Sequence, residues 1–240
     1  MEMPLEIARI LTSNGIFIND ERSRKLAEYV ELLLQWNQKL NLISRRDSER
    51  IWESHILHSI SPLFCIEFPA GTRMLDLGSG GGLPGIPLSI VHGSLEVALV
   101  DSVQKKTRAL REILQTLQLP NVTVYSGRAE ELAREPLKSA FDAVIARAVA
   151  PLCDLIRWSR PFLRKRIVPA TRLKGTKGNS ELSFPYLIAL KGGDLAREIR
   201  DARLRARGTT ITEVDLSFPG ADLLGLVDKK ILLVQWPEKQ

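Results

Sequence analysis

From residue 73 onward the chain alternates short β-rich runs with helical ones, and this alternation limits the fold more than any other feature. Strands are expected at 73–77, 96–100, 122–125, 143–146, 186–190, 209–216 and 230–235. Helices are expected near 85–91, 105–117, 129–134 and 152–163, with another near 195–206 leading into the sixth strand. Strand and helix alternating at this spacing build βαβ units, so the fold class is α/β with a doubly wound, seven-stranded, mostly parallel sheet. The short connection between the last two strands predicts an antiparallel hairpin at one edge.

The region before this alternation reads differently. Leu26, Tyr29, Val30, Leu33, Leu34, Trp36 and Leu40 recur near a 3.6-residue period, with Glu and Lys between them. A second helical stretch is expected from 48 to 64, stopping near Pro69. The organisation is therefore an N-terminal helical extension over 1–70 and an α/β domain over 71–240. Within the latter, "KRIVPATRLKGTKGNSELSF" at 165–184 breaks the rhythm. It is long for a connection of about 2–6 residues, and its Pro, Gly, Asn and basic residues predict a basic insertion that forms an exposed loop.

The first strand leads into "DLGSGGGLPGIP", residues 76–87, which holds five of the chain's 16 glycines. Glycine suits backbone that must turn at positive φ or approach a ligand closely. In a doubly wound sheet such a loop sits where ligands bind, outside the carboxyl ends of the strands. The dinucleotide fingerprint G-x-G-x-x-G fails here, because the position three after Gly80 is Leu83. Pro84 and Pro87 also lack the N–H groups that hold a pyrophosphate at a helix entrance. No Gly-Lys-Ser/Thr follows, which excludes a P-loop. What remains is D-x-G-x-G-x-G, with Asp101 closing the second strand about 20 residues later. Asp101 could equally cap the helix ahead of Lys105.

The pattern resembles the first two motifs of class I S-adenosylmethionine-dependent methyltransferases, in which an acid after strand two takes the ribose hydroxyls. "MLDLGSGGGLPGIPLSIV", "LVDSVQKKTRALREI", "SGRAEE", "IARAVAPL" and "ALKG" follow in that order, after "WNQKLNLIS" and "HILHSI" upstream. Together these closely resemble the glucose-inhibited division protein B family, methyltransferases that modify a guanine at N7 in small-subunit (16S) ribosomal RNA. The resemblance covers about 5–163 and 186–236. It implies a Rossmann-like class I methyltransferase fold and S-adenosyl-L-methionine as cofactor. Cofactor contacts are implied at Gly78, Gly80, Leu83, Asp101, Ala129, Glu130 and Arg147. Arg147 and Arg128 are the candidates for contact with the incoming guanine. Two positions depart from the family: His58 stands where aspartate is usual, and Lys229 where an arginine is usual. A charge persists at Lys229, but the planar fork of arginine is lost.

Absent residues narrow the chemistry further. Exocyclic-amine methylation typically uses an Asn/Asp-Pro-Pro-aromatic motif after strand four, where this chain has "ARAVAP" at 146–151. Pyrimidine C5 methylation needs a Pro-Cys pair, and Cys65 and Cys153 read instead as core residues. Guanine N7 carries an in-plane lone pair and no proton at neutral pH, so a site poor in general bases suffices.

The charge asymmetry suggests either a polyanionic partner, with RNA or DNA the leading candidate, or a solvated basic face. Residues 157–240 hold 17 Lys/Arg against 9 Asp/Glu, which accounts for the whole excess in a chain of net charge +6. The implied partner is small-subunit ribosomal RNA within the 30S particle, met by a monomer. No apolar run approaches the roughly 18 residues of a membrane span, and two cysteines make no disulfide framework or metal site. A cytoplasmic location without a signal peptide is expected. A dinucleotide-dependent oxidoreductase, a non-catalytic RNA-binding module and a methyltransferase acting on another RNA or a small molecule are the competing readings.

Overall fold

A computed structural model describes the chain except for residues 45–47, 166–167, 173–180, 217, 222–228 and 237–240. Its central sheet has seven strands: β1 (Arg73–Leu77), β2 (Glu96–Asp101), β3 (Val122–Ser126), β4 (Ala143–Arg147), β7 (Tyr186–Gly192), β8 (Thr210–Asp215) and β9 (Lys229–Gln235). They lie in the order β3-β2-β1-β4-β7-β9-β8. The strands from β3 to β7 pair in parallel, whereas β9 runs antiparallel between β7 and β8. This matches the expected class, with the hairpin at one edge. The reversal between β1 and β4 is the topological switch point, where such sheets open a ligand crevice.

The inner strands β1, β2, β4, β7 and β9 are buried on both faces over most of their length, as a sheet covered by helices requires, while the edge strands β3 and β8 are partly exposed. Along β4, Ala143 and Ile145 join one core while Val144 and Ala146 join the other. The first core receives α5 (Gly85–His92) and α6 (Gln104–Leu117), and the second receives α7 (Ala129–Leu132), α8 (Leu152–Ser159) and α9 (Ala196–Arg205).

The N-terminal helices share the first core. In α2 (Asp20–Leu40), Leu26, Tyr29, Val30 and Leu33 form the buried stripe that packs toward α5 and α6. The helix starts where the Asn19 side chain accepts the Arg22 N–H at 2.9 Å, with Asp20 and Glu21 favouring its positive end. It stops at Asn41, whose φ of 48° takes the left-handed conformation. Ahead of it, α1 (Leu5–Ser13) buries Ile7, Ile10 and Leu11.

The helical stretch expected over 48–64 is present in several segments: a 3₁₀ turn (Ser48–Arg50) leads into a π-helical segment (Trp52–Leu57), then α3 (His58–Ile60) and α4 (Pro62–Cys65). One expectation needs correction. The 165–184 insertion is not wholly a loop, since β5 (Val168–Arg172) and β6 (Glu181–Phe184) pair in an antiparallel hairpin. Cys65 is a core residue, but Cys153 is only partly buried. Among the described residues no helix is long and apolar enough to cross a membrane.

Candidate active site

The glycine loop leaves β1 and is braced almost entirely by the chain itself. Gly78 and Ser79 donate their N–H groups to the Val100 carbonyl at 2.8 and 3.0 Å. Gly82 and Leu83 donate to Ser79, Gly80 to Asp101 Oδ2 at 2.9 Å, and Gly85 to Asp76 Oδ2 at 2.8 Å. N–H groups committed in this way cannot cradle a pyrophosphate, which adds a structural reason against a dinucleotide. Positive φ angles of 73° at Gly78 and 56° at Gly80 explain why glycine occupies these turns. A Cβ on Gly80 would meet nothing within 4 Å, so its open side is free for a ligand.

The N-terminal extension is part of this brace. The Tyr29 hydroxyl donates to the Gly81 carbonyl at 2.9 Å, and a Cβ on Gly81 would strike Leu33. Full burial pushes the Tyr29 phenol well above its usual range, so it stays a donor.

A cleft of about 220 Å³ opens at the carboxyl ends of β1, β2 and β3. It brings together Gly78, Asp101, Arg128, Ala129 and Glu130 of the residues expected from sequence. Sequence reasoning missed Ser102, Val149 and Trp158, which also line it. Trp158 was legible only as a helical residue, yet its buried Nε1 has no hydrogen-bond partner among the described residues. Asp101 is not a helix cap. Its Oδ1 accepts the Val103 N–H at 2.8 Å in a local turn, and its Oδ2 holds Gly80. Arg128 and Glu130 are exposed at the cleft, and Ala129 is buried.

Leu83, Gly80 and Arg147 do not line this cleft. Leu83 is 4% exposed and packs into the first core, while Gly80 touches the cleft through Asp101. Arg147 closes β4 and turns toward the extension. Its guanidinium donates to His55 Nδ1 at 2.9 Å and approaches the Ser54 carbonyl at 3.5 Å. Arginine has donors only, so His55 accepts at Nδ1 and is the Nε2–H tautomer. His58 lies 5% exposed in the same region. Burial first, then Arg147, Lys229 and His55, lowers its pKa to about 3, so it stands neutral where a carboxylate is usual in the resembling family. The strand end after Arg147 is held firmly. Ala148 adopts a φ of 55°, Lys191 donates to the Ala150 carbonyl at 2.7 Å, and Glu198 accepts both Lys191 and the Leu152 N–H.

Below the loop, Asp76 is completely buried. Its Oδ1 has no hydrogen-bond partner among the described residues, and its pKa is pushed up to about 7. Burial raises it most, and the Gly85 N–H and the Arg147 charge draw it back. An apolar cleft carrying a braced carboxylate at one end and an exposed acid and base at the other suits a nucleoside-bearing ligand. Among the described residues no group of His, Cys, Asp and Glu is arranged to hold a metal ion.

Comparison with known proteins agrees with this geometry. The family model GidB, rRNA small subunit methyltransferase G, matches residues 22–205. The ribosomal RNA small subunit methyltransferase G of Bacteroides fragilis is 41% identical over 181 residues, covering 75% of this chain and 80% of the relative. The protein of the same name from Chlorobium luteolum is 39% identical over 193 residues, covering 80% of this chain and 72% of the relative. The solved structure of a SAM dependent methyltransferase from Aquifex aeolicus superposes with a TM-score of 0.51 at 15% identity, covering 79% of this chain and 95% of that one, a likeness that shows the fold alone. With a matched region that runs from α2 through the glycine loop and the cleft to α9, the chain belongs to the family of the rRNA small subunit methyltransferase G.

Proposed function

We propose that this chain transfers a methyl group from S-adenosyl-L-methionine to N7 of a guanine in small-subunit ribosomal RNA, as a monomer in the cytoplasm. The observation that carries the reading is the cleft that gathers Gly78, Asp101, Arg128, Ala129 and Glu130 at the sheet's switch point, in a chain of this family. Bound there, the cofactor would supply an electrophilic methyl on a sulfonium sulfur, and the positive charge would pass to the base as N7 takes the methyl.

The chain's own residues have a limited task. Asp101 already spends one lone pair of each oxygen on Val103 and Gly80, and its remaining lone pairs suit ribose hydroxyls. Glu130 and the backbone at Ala129 suit the adenine edge. Arg128 stands at the cleft where the guanine must arrive, and Arg147 stands behind the glycine loop near Asp76. N7 has no proton to remove, so catalysis is mostly alignment with water excluded. The titratable groups lining the cleft, Asp101, Arg128 and Glu130, include no histidine, cysteine or lysine.

The test is to incubate the chain with methyl-labelled S-adenosylmethionine and 30S subunits lacking the modification, then digest the RNA. Label recovered as 7-methylguanosine is expected; label in another nucleoside, or none, overturns the reading. Asp101→Ala should lower cofactor affinity by calorimetry ten- to a hundredfold, about 1.5–3 kcal/mol for a lost charge-assisted pair of contacts. RNA affinity should not change. Unchanged cofactor affinity would leave Asp101 as a brace for the glycine loop.

A further inference from the structure

The basic excess of the last third does not gather at the cleft. Strands β4 and β7 both end at the cleft edge, where Arg147 pairs with Leu190. Strand β9 runs back from that edge, with Lys229 opposite Gly192 and Gln235 opposite Tyr186. Trp236 therefore lies at the other edge, about 23 Å from Lys229 for seven extended residues. Helix α8, whose Trp158 lines the cleft, and helix α9 both run back toward that far edge. The chain after α8 bridges Leu163 to Phe141, just ahead of β4, and the chain after α9 enters β8 opposite Gln235.

A groove of about 470 Å³ is cut there, and four arginines line it: Arg157, Arg160, Arg205 and Arg207. All four are exposed. Only Arg157 has an ion-pair partner among the described residues, the exposed Asp154 at 3.1 Å. Trp236, half-buried, lines the same groove. Four guanidinium groups on one groove with a single carboxylate among them repel one another, and a polyanion relieves that repulsion. Arginine's planar fork fits phosphate oxygens in pairs, and an indole beside it offers a face on which a base can stack.

We propose that this groove, which begins beside the cleft at α8 and continues to the far edge of the sheet, is a second docking surface for the phosphate backbone of ribosomal RNA. The proposal rests on the RNA methyltransferase reading above. A chain that grips its substrate both at the cleft and along this groove selects a large folded RNA or particle over a short oligonucleotide.

The test uses the full chain with Arg157, Arg160, Arg205 and Arg207 replaced together by Gln, assayed on 30S subunits across a salt series. The expected result is a KM for the subunits raised about tenfold or more. The slope of log affinity against log salt should shrink by about 3, since each lost phosphate contact removes about 0.7–0.9. The kcat and the affinity for S-adenosylmethionine should match the parent. A double variant, Arg160→Gln with Arg207→Gln, should show about half the change in slope, which serves if the fourfold variant folds poorly. A KM and salt slope equal to the parent's overturn the groove, as does a raised KM with an unchanged slope, which signals a contact other than phosphate. A parent chain that methylates no RNA at all sinks the functional reading instead.

Discussion

Replacing Arg147 with alanine is expected to lower kcat/KM for methyl transfer to 30S subunits by about 10²–10³, the usual effect of removing one preorganised charged donor from a reaction site. The backbone should hold, because Arg147 pairs with Leu190 in the sheet and the following turn is pinned by Lys191 and Glu198. The side chain is the contribution at risk. Its guanidinium is aimed by His55 and acts electrostatically on Asp76 and Tyr29 beneath the glycine loop. Lysine should not restore turnover, since it cannot present two parallel N–H donors. His55→Ala alone should have a smaller effect, and adding it to Arg147→Ala should change nothing further, because His55 acts through the arginine. A rise confined to the cofactor KM would place the guanidinium on the cofactor, and one confined to the RNA KM would place it on the base. Unaltered turnover would remove Arg147 from the site.

The sheet was legible because each β-rich run is short, apolar and bounded by glycine, proline or a charged helix start. The insertion of β9 between β7 and β8 was not legible, since it depends on which distant strands pair. The π-helical segment escaped for a local reason: its apolar spacing resembles that of an α-helix, and only the backbone bonds differ. In 165–184, proline and glycine obscured the alternation that would have marked β5 and β6.

The cleft followed a similar division. Gly78 and Asp101 were readable because a tight turn and a strand-end acid have few other uses at that spacing. Tyr29 reads as one more apolar residue of the α2 stripe, and its bond to Gly81 spans 52 residues. The His55–Arg147 contact spans 92. Leu83 shows the reverse: it sits in a glycine loop that approaches a ligand, yet its side chain is spent on the core.

Asp76 and His58 are expected to give the chain two opposed pH dependences that nearly conceal each other. The Asp76 carboxyl titrates near 3.8 when unfolded and near 7 when folded, so its contribution is fully present below about 3.8 and is lost as pH rises toward 7. A shift of that size corresponds to about 4 kcal/mol at most. His58 works the other way. Its folded pKa of about 3 lies below the ordinary 6.5, so its contribution is present above 6.5 and is lost as pH falls toward 3. Over the shared window the two slopes oppose, and the parent's unfolding free energy in urea should vary little between pH 4 and 6.5. Asp76→Asn removes one of them. Relative to the parent, that variant should gain stability steadily as pH rises from about 4 to 7, by an amount on the order of the 4 kcal/mol above. The cationic cofactor should shrink this difference in the parent, because a positive charge beside Asp101 favours the ionised Asp76 as well. Parallel stability curves for parent and Asp76→Asn across this range would mean that the buried carboxyl is already ionised at pH 4, with its charge balanced by Arg147.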